Sequence, residues 1–205
     1  MTDPFDLLYV SPHAILARLP TRPARLLDAL RASDAVRAVT VVNRRRPSDI
    51  GPFVRKRSLE VRTTIDANLV AIEHPWPFGT LEARWLERLV HRAMLSSGGP
   101  VVLWICDPKS AQVLSRLQHI PNARLVRVFD AYDAWDLSPI VRGRWRRRAV
   151  VNGYRTAAKY ADVVFANTEF MARRMQALGS ARVSVLQNAA PPVDYTVSAA
   201  AYPDS

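Results

Sequence analysis

The sequence predicts an α/β fold: a Rossmann-like, doubly wound, mostly parallel sheet with helices on both faces. Three observations predict it. Short runs of β-branched and aliphatic residues alternate with amphipathic stretches along most of the chain. Some runs, VVLWIC (101–106) above all, are apolar at consecutive positions, as strands covered on both faces must be. The chain of 205 residues is 49% hydrophobic, enough apolar material for one real core. No internal repeat is present.

LLYV (7–10) is the first strand, followed by a helix over 22–32 with Leu26, Leu27 and Leu30 on one side. AVTVV (38–42) has the β-branched content of a buried strand. The segment 44–57 carries prolines, a glycine and basic residues and reads as an exposed loop. LEVRTTI (59–65) and NLVAIEH (68–74) form a hairpin or two edge strands, and Pro75 and Pro77 stop regular structure. The clearest amphipathic helix runs from Thr80 to Leu95, with Leu81, Trp85, Leu86, Leu89, Val90 and Met94 on its apolar face. Gly98 and Gly99 close it.

A regular alternation follows: strand 101–106, helix 109–119, strand 125–129, helix 142–160, strand 162–166, helix 169–178 and strand 183–187. Thr168 caps the start of the last helix and Gly179 closes it.

Composition excludes several classes. One cysteine, Cys106, rules out a disulfide framework and a cysteine-built zinc site. No apolar run approaches the ~20 residues of a membrane span, and MTDPFDLLYVSP lacks the basic start and apolar stretch of a signal peptide. The expected compartment is the cytoplasm, with peripheral placement at the inner membrane face as its variant. The net charge is +11, and all but three of the basic residues (Lys56, Lys109, Lys159) are arginines. A GC-biased genome explains such a balance; an anionic membrane, phosphate-bearing substrates or nucleic acid are the functional explanations.

Ligands of open parallel sheets lie beyond the carboxyl ends of the strands. The residues that follow the strands are therefore the site candidates: His13, Asp107, Glu169 and Asn188, and the segment DAYDAWD with Asp130, Asp133, Trp135 and Asp136. Carboxylates accept hydrogen bonds from sugar hydroxyls or act as bases, and aromatic rings stack on the apolar face of a pyranose. The blander alternatives are turn and cap residues and a loop of solvated acids. A calcium loop needs a glycine and a terminal glutamate that DAYDAWD lacks, so no metal is assigned. Cys106, inside a buried strand, is a core residue, and His74, His91 and His119 stand isolated in the sequence.

LLYVSPHAILARLP contains no glycine, which excludes a dinucleotide fingerprint and a Walker-type loop after the first strand. No Gly-x-Ser-x-Gly elbow marks a serine hydrolase. RGRWRRR places Arg142, Arg144, Arg146, Arg147 and Arg148 around Trp145, outside the acidic DAYDAWD segment. Such a surface grips phosphates, lies on anionic lipid, binds nucleic acid or is simply a solvated helix face.

Four segments in order, VVLWICDP (101–108), VRVFDAYDAWD (126–136), KYADVVFANTEFMARRM (159–175) and VSVLQNAAPPVD (183–194), resemble the N-terminal half of GT-B glycosyltransferases, nearest the retaining, family-four-like enzymes. The resemblance runs over most of residues 5–194. Where that family has Asn-Gly-Val-Asp, this chain has Asn188-Ala189-Ala190-Pro191-Pro192-Val193-Asp194.

The resemblance implies an N-terminal domain over 1–190 and a linker or tail over 191–205, leading to a C-terminal donor-binding domain outside the chain. It implies the acceptor-binding half of an enzyme that moves a sugar from a nucleotide-sugar donor, inactive without that domain. The donor belongs to the missing domain, so no cofactor is assigned here. The expected partners are a sugar or lipid-linked acceptor and a donor-binding domain or subunit. The alternative is a non-catalytic module whose arginine surface binds anionic membrane lipid or, less favoured, nucleic acid. No catalytic residue is assigned.

Overall fold

The computed structural model describes residues 3–11, 21–44, 61–74, 79–139 and 141–187. Among the described residues eight strands form one sheet: β1 (Phe5–Ser11), β2 (Val36–Arg44), β3 (Val61–Asp66), β4 (Leu69–His74), β5 (Val101–Ile105), β6 (Leu125–Ala131), β7 (Val163–Ala166) and β8 (Val183–Val185). Their spatial order is β3-β4-β2-β1-β5-β6-β7-β8, and all neighbours are parallel except the β3–β4 hairpin at one edge. The expected doubly wound, Rossmann-like sheet is present.

The described helices are α1 (Arg22–Arg31), α2 (Thr80–Ser96), α3 (Gln112–Arg116), α4 (Arg144–Tyr160) and α5 (Glu169–Ala177). From β1 the chain moves outward to β2, and after β4 it returns to lay β5 on the other side of β1. Right-handed crossovers force these two directions onto opposite faces. Accordingly Leu27 of α1 packs with Leu7, Tyr9 and Val41 on one face. On the other face α2–α5 cover Leu8, Val10, Leu103 and Phe129. The reversal makes a topological switch point between the carboxyl ends of β1 and β5.

Several boundaries differ from the sequence reading, each for a local reason. The expected helix 109–119 shrinks to α3. The backbone before it closes three-residue turns, from Ser110 N to Asp107 O at 3.0 Å and from Ala111 N to Pro108 O at 3.2 Å. The Asp107 side chain also accepts the Lys109 amide at 3.0 Å, a turn that competes with a helix. α4 starts at Arg144 rather than 142, because Gly143 sits at φ 90°, where only glycine is unstrained. β8 ends at Val185.

On α2, Leu81 is 53% exposed and Glu82 is buried. Position 81 lies about 140° around the helix from Leu86, whereas 82 falls on the buried stripe. Thr168 caps α5 as expected, its Oγ1 accepting the Met171 amide at 3.2 Å.

Candidate functional site

Two links hold the carboxyl rim of the sheet around the switch point. Arg22, in the first turn of α1, reaches from beyond β1 to Asp130 near the end of β6. Its Nη2 lies 3.1 Å from Oδ1 and its Nε 3.3 Å from Oδ2. Asp130 has no exposed side-chain surface. Burial raises its carboxyl above the ordinary value, and the Arg22 guanidinium only partly offsets that. Asp130 therefore fastens α1 to the sheet and faces no solvent.

The second link is Tyr154 of α4. Its hydroxyl donates to the Asp133 carbonyl and accepts the Trp135 amide at 3.1 Å, pinning DAYDAWD to the helix below. Asp136 is taken by Arg174 of α5 at 2.5 Å, and that guanidinium lies 5.3 Å from the Tyr154 ring. The three aspartates thus point to three environments and do not form a carboxylate cluster. Asp133 is the exposed one. Trp135 is half-buried and meets Tyr132 edge-on, ring centroids 5.9 Å apart.

Of the other expected residues, Asp107 is buried and occupied in its own turn, while Glu169 is exposed in the first turn of α5. His13 and Asn188 lie outside the described residues, as do the basic segment 45–57 and the tail 191–205. Arg142, Arg144, Arg146, Arg147 and Arg148 are all exposed. Arg147 Nε donates to the Val141 carbonyl at 3.2 Å.

Cys106 is fully buried, its Sγ 3.2 Å from the Tyr9 hydroxyl, which in turn donates to the Pro23 carbonyl at 3.1 Å. Burial, then the Asp130 charge, push the thiol well above its ordinary pKa, as for a core cysteine.

The rim contains residues the sequence reading passed over. Asn43, the penultimate residue of β2, pairs with Ser11, and its buried Oδ1 has no partner among the described residues. The Tyr132 hydroxyl is in the same condition. His74 ends β4 and is not isolated: its Nε2 lies 3.7 Å from buried Glu82, and its ring packs, tilted by 34°, against Trp85 with centroids 4.4 Å apart. Ser110 donates to the same Glu82 oxygen at 3.2 Å. His91 and His119 also meet, with ring centroids 6.4 Å apart. Reading the last two residues of every strand, β2 and β4 included, would find Asn43 and His74.

A cavity of about 460 Å³ lies elsewhere, between α2 and the amino-terminal half of the sheet, with Asp6, Thr40, Arg62 and Arg92 in its wall. The rim remains the better candidate, because ligands of open parallel sheets lie at the switch point beyond the carboxyl ends of the strands. No described helix is long and apolar enough to cross a membrane.

No protein-family model matches the chain. No curated protein matches its sequence. Solved structures do match. One is an α,α-trehalose-phosphate synthase (UDP-forming) from Burkholderia vietnamiensis, at 10% identity and TM-score 0.46, covering 84% of this chain and 42% of that one. Another is a trehalose-6-phosphate synthase analysed with bisubstrate glycomimetics, at 11% identity and TM-score 0.47, covering 87% of this chain and 48% of that one. A third is apo OtsA, at 10% identity and TM-score 0.48, covering 90% and 48%. The chain spans less than half the length of each of these structures.

Proposed function

We propose that the chain is the acceptor-binding half of a glycosyltransferase that transfers a sugar from a nucleotide-sugar donor, with the donor held by a second domain. The observation that carries the reading is the pinned loop at the end of β6. It holds exposed Asp133 two residues from half-buried Trp135, beside the switch point. A carboxylate next to an aromatic ring is the pairing that recognises a sugar: the oxygens accept from hydroxyls, and the ring covers C–H groups. The ordered likeness of the four segments to the N-terminal half of GT-B enzymes supports the same reading.

In this reading Asp133 and Trp135 contact the acceptor, and Glu169 lines the rim beside them. Asp130 and Asp136 act through Arg22 and Arg174, which set the position of the loop. Transfer then requires the second domain to close over the rim and bring the donor's anomeric carbon to the acceptor hydroxyl. The acceptor in this reading is a sugar or a lipid-linked molecule.

The test is sugar transfer from a panel of nucleotide sugars, by this chain alone and by the chain joined to a donor-binding domain. Turnover only in the joined form is expected, and robust turnover by the chain alone overturns the half-enzyme assignment. In the joined form Asp133→Asn and Trp135→Ala should each cut kcat/KM by tenfold or more, roughly 1.4 kcal/mol. Unchanged kinetics remove the loop from the site.

A further inference from the structure

α4 carries no acidic residue in its sequence RWRRRAVVNGYRTAAKY, unlike α1, α2 and α5. Its inner face, Val150, Gly153, Tyr154, Ala157 and Ala158, is buried on the sheet. The opposite face shows Trp145, Arg148, Asn152, Arg155 and Lys159, spaced three or four residues apart and all exposed. Trp145 is 79% exposed, the most exposed aromatic side chain among the described residues.

The start of this helix opposes ordinary helix energetics. Three of its first four residues are arginines, set against the positive end of the helix dipole. Gly143 provides no side-chain cap, and the first turn has no carboxylate to offset the charge. By contrast α5 begins with a capping Thr168 and Glu169. Local rules broken together at an exposed position indicate that the residues serve a contact outside the fold. Glu87, near the groove that α4 shares with α2 and α3, is taken by Arg116 at 2.6 Å.

We propose that this face of α4 docks the protein on an anionic lipid bilayer. Trp145 enters the headgroup layer, where its amphipathic ring is favoured, and Arg144, Arg148, Arg155 and Lys159 pair with lipid phosphates. The exposed indole selects a bilayer over a nucleic acid duplex, because it offers an apolar ring to an interface and no base-reading pattern accompanies it. The surface lies on the outer side of the helix and requires nothing of the transferase reading.

Cosedimentation of the full chain with vesicles tests it, comparing phosphatidylcholine alone with phosphatidylcholine mixed with phosphatidylglycerol. Binding is expected only to the mixed vesicles and should weaken as salt rises. Removing a basic residue from the face should lower partitioning by about fivefold, so Arg148→Ala/Arg155→Ala together should lower it by about twenty-fivefold. The control Arg84→Ala/Arg88→Ala removes the same charge from α2 and should bind as the parent does. Trp145→Ala should weaken binding without changing its salt dependence. Equal binding to neutral vesicles, no binding to either, or equal losses from the two double variants overturns the proposal. So does displacement from the vesicles by duplex DNA that binds more tightly at the same salt. Matching thermal melts of all variants ensure that a loss is read as lost contact.

Discussion

Arg22 and Asp130 lie 108 residues apart in sequence and form a two-bond ion pair that spans the switch point. The guanidinium begins α1 on one face of the sheet, while the carboxylate ends the stretch of β6 that feeds the candidate loop. Asp130 is fully buried and Arg22 nearly so, with side-chain exposures of 0% and 10%. Removing one partner leaves the other charge in low dielectric, which costs about 3–5 kcal/mol. Arg22→Ala and Asp130→Ala should each reduce stability by that order in urea unfolding. The double variant should lose clearly less than the sum. Strict additivity would show that the pair makes no net contact in solution.

Tyr154 works differently, because its hydroxyl joins two backbone groups of the loop and carries no charge. Tyr154→Phe keeps the ring against Phe129, 6.0 Å away, and deletes only the bridge. A loss of about 1–2 kcal/mol is expected. The sharper readout is hydrogen exchange at the Trp135 amide, which should quicken far more than at strand amides of β6. An unchanged Trp135 rate would mean that the loop is held by other contacts.

Gly153 looks like a flaw in α4, where alanine would favour the helix by about 1 kcal/mol. The packing reverses that preference. A Cβ at this position would stand 1.8 Å from the Pro108 carbonyl oxygen, a backbone atom of the turn after β5. Gly153→Ala should therefore destabilise by about 1–3 kcal/mol despite its propensity gain. A variant as stable as the parent would show that α4 can slide away from that turn.

The sheet was legible in the sequence because its signals are local. Apolar runs such as 101–105, the cap at Thr168 and the stripe through Leu86, Leu89 and Val90 each need only neighbouring residues. The rim was legible in outline, since the position of DAYDAWD follows from the end of its strand. The roles within it were not. Asp130, Asp133 and Asp136 look equivalent in sequence, and only the distant Arg22, Tyr154 and Arg174 distinguish them. The burial of Glu82 was equally hidden: a glutamate on a helix reads as solvent-facing until His74 at the end of β4 and Ser110 in the turn after β5 meet it. The shortening of α3 shows a local competition, in which the Asp107 turn outweighs the helical pattern that follows it.

Arg127 and Asp162 give the fold a specific acid response. Arg127 Nε and its amide both donate to Asp162 Oδ2 at 2.8 Å, and Nη2 donates to Oδ1 at 2.8 Å. Arg127 also donates to the Leu117 carbonyl at 3.0 Å and to Asn122 at 2.6 Å, so one guanidinium ties β6 to the turns on either side. Burial raises the Asp162 pKa, but the hydrogen bonds and charge of Arg127 outweigh it and hold the carboxyl below its ordinary value. A depressed folded-state pKa means that the fold favours the ionised form. The stabilisation is then complete above the unfolded carboxylate value near 4 and is lost as pH falls through the lower folded value. Asp162→Asn cannot titrate. Its stability deficit relative to the parent should stay constant from about pH 8 to pH 5 and narrow below about pH 4, as the parent loses what the variant already lacks. Urea midpoints across that range measure it. A deficit that persists undiminished into strong acid, or one that grows there, would remove Asp162 as the acid-sensitive tie between β6 and β7.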